Sequence, residues 1–185
     1  MLSTRATAAI EQLFERSILE NIDPQRHGSC RVVSGEGPES HKPEDERRLV
    51  SVGISSYLFR IVALFDFGTD PATLCHLQNQ SSQALSGQTL ADAYAELANM
   101  ICGNVNRTLA RVFRHSGMST PTFLETGCSQ FVGLLHPDLH LGFIVSTPEG
   151  MRFHLSVAAS ANQDVDFEIE EDAQEEQCAG ELEFF

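Results

Sequence analysis

The sequence predicts an α+β domain with a mainly antiparallel sheet packed against helices. Three observations predict it. Apolar residues recur at three- and four-residue steps in two stretches, marking amphipathic helices. Apolar and small or polar residues alternate across residues 49–67, marking half-buried strands. The last third of the body carries apolar runs separated only by short turn signals, which fits hairpins and not the long crossovers that parallel strands need.

The first element spans residues 4–22. Ile10, Leu13, Phe14, Ile18, Leu19 and Ile22 form its apolar stripe, and Asp23-Pro24 ends it. Residues 24–48 are rich in Gly, Pro, Ser and charge and read as a loop, with one short strand at Cys30-Arg31-Val32-Val33. Val50, Val52 and Ile54 then share one strand face. Phe59, Ile61, Ala63, Phe65 and Phe67 share a second, with a turn near Ser55-Ser56. Thr69-Asp70-Pro71 pairs a cap residue with a first-turn proline and opens a short helix to about Gln80. A long helix follows over 89–115, with Leu90, Tyr94, Leu97, Ile101, Val105, Leu109 and Val112 on one stripe and Ser116-Gly117 as its stop. Strands are expected over 121–134, 139–146 and 151–157, separated by Pro137-Asp138 and Thr147-Pro148-Glu149-Gly150.

The chain has 185 residues and is 42% hydrophobic, enough for one packed core. Its net charge of −14 is uneven. Ten acids and no Lys or Arg fall in residues 163–185, so the rest carries only about −4. Residues 1–160 therefore form the domain, and 161–185 an acidic extension whose composition favours disorder past about residue 170. Val165, Phe167 and Ile169 alternate, which suggests that its first part continues as an edge strand. No clustered basic surface argues for nucleic acid. No apolar run is long enough to insert in a membrane, and charges through the first 21 residues argue against a signal peptide. The five cysteines, odd in number and without a CxxC pair, then suit a reduced, cytoplasmic setting and no structural zinc. His136 and His140 have the spacing of a helical metal pair, but Pro137 between them opposes a helix.

The long helix carries a second, polar face. Asp92, Glu96, Asn99, Gly103 and Asn106 follow at three- and four-residue spacing and project together. Three Asn and one Gly within residues 99–106 are poor helix formers, with Gly alone costing about 1 kcal/mol against Ala. A merely solvated face is better built from Glu, Lys and Gln. Local explanations exist for single members: Asp92 completes a capping box with Thr89 in a first turn, and Gly103 allows a neighbouring strand to pack closely.

Taken together, Asp92-Ala-Tyr-Ala-Glu96-Leu-Ala-Asn99, then Met100-Ile101-Cys102-Gly103-Asn104 and later Pro121, resemble the signature of the CheC/CheX/FliY family of chemotaxis phosphatases. That signature is an acidic residue or Ser, a Glu three residues on, an Asn three further, and a Pro about twenty residues later. Here Asp92 precedes Glu96 by four residues. The signature occurs once, as in CheX-like members, which dimerise. The resemblance covers roughly residues 4–160 and implies a CheX-like phosphatase acting on the aspartyl phosphate of a CheY-like receiver domain. By that resemblance Glu96 and Asn99 are the catalytic pair and Asp92 a receiver-docking residue, while Gly103 and Pro121 are structural. No cofactor is held by this chain, since the receiver brings its own Mg²⁺. The partners implied are the phosphorylated receiver and a second copy of the chain, joined through strands. The alternative is a catalytically inactive CheX-like module that binds a receiver or another signalling or flagellar protein.

Overall fold

The computed structural model describes residues 1–23, 30–34, 47–69, 73, 87–148 and 150–169. Helix α1 (Thr4–Ile22) leads into β1 (Arg31–Ser34), β2 (Arg47–Ser55) and β3 (Phe59–Gly68). Helix α2 (Gly87–Val112) follows, then β4 (Gly117–Met118), β5 (Thr122–Leu124), a 3₁₀ helix (Thr126–Leu135), β6 (Leu139–Ser146) and β7 (Arg152–Ala161). The strands form one seven-stranded sheet ordered β1-β6-β7-β3-β2-β4, with β5 also on β2, and every pairing is antiparallel. This is the α+β architecture that the alternation and the turn signals predict.

Period-two alternation decides which sheet face meets the helices. Val50, Val52 and Ile54 of β2, the odd positions 59–67 of β3, and Phe153, Leu155 and Val157 of β7 all point into one core under α1 and α2. Phe67 links Phe153, with ring centroids 5.1 Å apart, to Tyr94 of α2 at 4.9 Å. The opposite face carries a smaller apolar cluster of Leu49, Leu64, Ala158 and Val132. Beside it, Arg47 Nε donates to Asp66 Oδ1 at 2.6 Å with both side chains largely out of solvent.

Local chemistry sets the element ends. Ser3 caps α1, its hydroxyl accepting from the Ala6 N–H, and Asp23 closes it. The Ser56 hydroxyl accepts from the Leu58 and Phe59 N–H groups, which makes the turn expected between β2 and β3. Between β6 and β7, Gly150 takes φ 95°, a left-handed value that glycine adopts without strain.

Four expectations need correction. The long helix ends at Val112, three residues before His115, and residues 113–115 turn the chain toward β4. The strand expected over 121–134 is only Thr122–Leu124, followed by the 3₁₀ helix. In this stretch Phe131, Val132, Leu134 and Leu135 follow helical and not alternate spacing, and Val132 alone is buried. Strand β7 runs four residues past Val157, to Ala161. The edge strand expected at 165–169 is a single parallel bridge, Val165 with Leu2. Side chains complete that attachment: Val165 and Phe167 are buried, and Arg5 pairs with Asp166 and Glu168. The helix expected after Thr69-Asp70-Pro71 lies almost wholly outside the described residues, as do Cys75, Cys178 and the chain end.

Candidate functional site

The polar face of α2 is held in place from behind. The buried Tyr94 hydroxyl donates to the Gly68 carbonyl of β3 at 2.9 Å. Further along the helix, the buried Ser17 hydroxyl of α1 donates to the Ile101 carbonyl at 2.7 Å. Between these two anchors Leu97 and Ala98 are buried in the core. A helix pinned at two points along its inner side cannot rotate, so the outward residues between them are presented at fixed angles.

Those outward residues are Glu96 and Asn99, three positions and about 4.5 Å of helix rise apart. Glu96 is exposed and Asn99 half-buried. Neither has a hydrogen-bond or ion-pair partner among the described residues. Asp92, one turn before Glu96, is also exposed, so the three expected site residues share one outward face. The face therefore offers the Glu96 carboxylate and, slightly recessed, one primary amide with both a donor and an acceptor.

The structure removes two local explanations and supplies one. Helix α2 begins at Gly87, so Thr89 lies inside it and Asp92 beyond its first turn, and a capping box does not account for Asp92. A Cβ at Gly103 would meet nothing within 4 Å, so no neighbouring strand requires glycine there. Asn106 does serve the fold, because the Ser116 hydroxyl donates to its Oδ1 and ties the turn after α2 back to the helix. Pro121 sits half-buried just before β5, where a missing N–H costs the sheet nothing.

Other candidates are accounted for by the fold. His136 ends the 3₁₀ helix with φ 45°, while His140 lies on β6 with Nε2 2.7 Å from the Ser156 hydroxyl. No group of three His, Cys, Asp or Glu side chains disposed to hold a metal occurs among the described residues. Cys102 is buried, which pushes its thiol well above the ordinary range. No helix among the described residues is long and apolar enough to cross a membrane.

What spacing alone did not single out lies further along α2. Arg107 and Arg111 line a groove between α1 and α2 with Arg16 and Glu20. The signal was present as Arg107 four residues after Gly103, on the same helical row.

Comparison with solved structures places this architecture. The chain resembles the crystal structure of chemotaxis protein CheX from Vibrio vulnificus, with TM-score 0.56 and 15% identity over 85% of this chain and all of that one. It resembles equally a CheX–CheY–BeF3–Mg²⁺ complex from Borrelia burgdorferi, with TM-score 0.56 and 15% identity over 82% of this chain and 97% of that one. Thermotoga maritima FliY matches with TM-score 0.52 and 13% identity, over 85% and 92% of the two chains. The fold is thus that of the CheX, CheC-like and FliY structures. No protein-family model and no curated protein matches the chain in sequence.

Proposed function

We propose that this chain is a CheX-like member of the CheC/CheX/FliY family and hydrolyses the aspartyl phosphate of a CheY-like receiver, acting as a homodimer. One observation carries the reading. In a fold shared with a CheX solved together with CheY, Glu96 and Asn99 stand one turn apart on an outward helix face that is fixed from behind.

The chemistry asked of the chain is modest. The acyl phosphate is already reactive, and the receiver supplies Mg²⁺ and a lysine. The attacking water must be held in line with the leaving carboxylate. The Asn99 amide accepts from that water through Oδ1 and, through its N–H groups, donates toward the phosphoryl oxygens. Water oxygen bonds to phosphorus, the phosphorus–oxygen bond to the receiver's aspartate breaks, and the water proton leaves with inorganic phosphate. Glu96 pairs with the receiver's lysine and fixes the docking pose. Asp92 adds a peripheral contact. None of these roles needs a metal or a perturbed pKa on this chain.

The test is phosphate loss from a panel of radiolabelled receivers. Wild-type chain should accelerate loss from its cognate receiver. Asn99→Ala removes no core contact, so the variant should fold and still bind the receiver while acceleration falls about 10²–10³-fold. Glu96→Ala should weaken the complex itself. A folded Asn99→Ala variant of full activity would overturn the mechanism. Binding of a receiver without accelerated loss by wild type would favour the inactive-module alternative.

A further inference from the structure

We propose that the receiver's footprint does not stop at Asn99. It continues along α2 over bare backbone at Gly103 and onto the arginine-lined groove at Arg107, where the partner sets an acidic surface. The inference rests on the receiver reading above and deepens it.

Three observations point the same way. First, Gly103 is a mid-helix glycine that no neighbour among the described residues requires, since a Cβ there would meet nothing within 4 Å. A bare patch of helix backbone lets an approaching surface come closer by the width of a side chain. Second, Met100 beside it is 47% exposed, an apolar contact on an otherwise polar face. Third, Arg107 is exposed and has no ion-pair partner among the described residues. Among the described residues it lines the α1–α2 groove with Arg16, Arg111 and Glu20, and Glu20 is paired to Arg16 at 2.7 Å.

An arginine without an ion-pair partner among the described residues stands out in a chain of net charge −14, and Arg107 selects an acidic surface. Geometry makes the receiver the occupant. Gly103 lies about 6 Å and Arg107 about 12 Å beyond Asn99 along the axis. A standard interface covers about 800 Å² on each side, a patch roughly 30 Å across. A globular partner centred on Asn99, where its phosphoryl group sits, covers Gly103 and Arg107 as well.

The experiment is steady-state dephosphorylation of a receiver that wild type accelerates, across a range of ionic strength, with Gly103→Ala, Gly103→Leu and Arg107→Glu. Gly103→Ala should melt no lower than wild type, which shows that the position tolerates a side chain. Gly103→Leu and Arg107→Glu should each raise KM about tenfold or more with kcat little changed, the reverse of the Asn99→Ala pattern. Arg107→Glu should also flatten the dependence of KM on salt. Wild-type KM and wild-type salt dependence in both variants overturn the inference and leave the phosphatase reading intact. An Arg107→Glu variant whose assembly changes while its KM does not assigns the groove to a second copy and overturns it too. A wild-type chain that neither binds nor dephosphorylates any receiver removes the underlying reading, and this inference with it.

Discussion

At the scale of single residues, environment separates chemically equal groups, and the thiols show it. Cys102 is fully buried in the α2 core stripe, Cys30 is partly buried ahead of β1, and Cys128 is exposed in the 3₁₀ helix. Burial disfavours the thiolate, the nucleophilic form. Brief iodoacetamide treatment of the folded chain at pH 8 should therefore alkylate Cys128 and spare Cys102, which should react only after denaturation. Peptide mapping by mass spectrometry reads this out, and early labelling of Cys102 would contradict the helix orientation on which the Asn99 face depends. Burial, with a smaller contribution from Asp23, pushes the Cys30 thiol up from about 9 to about 11. The folded value lies above the unfolded one, so this contribution is complete below pH 9 and is lost as pH rises through 11. Stability should fall over that window in urea titrations, and less steeply in Cys30→Ala.

At the scale of elements, local pattern was legible where one periodicity ruled and illegible where backbone and tertiary partners decided. The stripe placed α2 because Tyr94, Leu97, Ile101, Val105 and Leu109 are buried on one side, while its end members differ, Leu90 being half-buried and Val112 exposed. The same period put Glu96 and Asn99 on the opposite face. The 3₁₀ segment was missed because Phe131, Leu134 and Leu135 remain exposed, at 59%, 70% and 52%, so their apolar character did not mean burial. The anchors behind the site could not be read either: Ser17 and Ile101 are 84 residues apart in sequence, and nothing local announces that contact. The anchors can be tested. Tyr94→Phe keeps the ring stacked on Phe67 and removes the hydroxyl that donates to the Gly68 carbonyl. The expected loss is about 1 kcal/mol, the net worth of one buried hydrogen bond, measured as a shift of the urea midpoint at unchanged m. A neutral result would mean that packing alone orients the N-terminal half of α2.

At the scale of the whole molecule, the chain after β7 divides into a packed part and an acidic part. Residues 163–169 return to the N-terminus: the Met1 ammonium meets the Gln163 carbonyl and Asp164, Leu2 bridges Val165, and Ser3 and Arg5 bind Asp166. The exposed ion pairs contribute little by themselves. The apolar anchors contribute more, because Phe167 packs edge-on against Phe113 at 5.2 Å, and Phe113 in turn against Phe59 at 5.1 Å. Residues 171–185 bring six acids and few apolar groups, and their charge adds to the self-repulsion of an already acidic chain. Two truncations should therefore behave differently. Ending the chain after Glu170 keeps Val165, Phe167 and Ile169 and removes only the acidic part, so the melting temperature should stay within a few degrees of wild type. Ending it after Asp164 removes two buried side chains worth about 1.5–3 kcal/mol each and exposes the Phe113 ring beneath them. In a chain of this size that corresponds to a fall of roughly 10 °C or more. Calorimetry on the two truncations and the full chain decides the matter. A large loss in the longer one would show that residues 171–185, with Phe184 and Phe185 the strongest apolar groups among them, pack on the body.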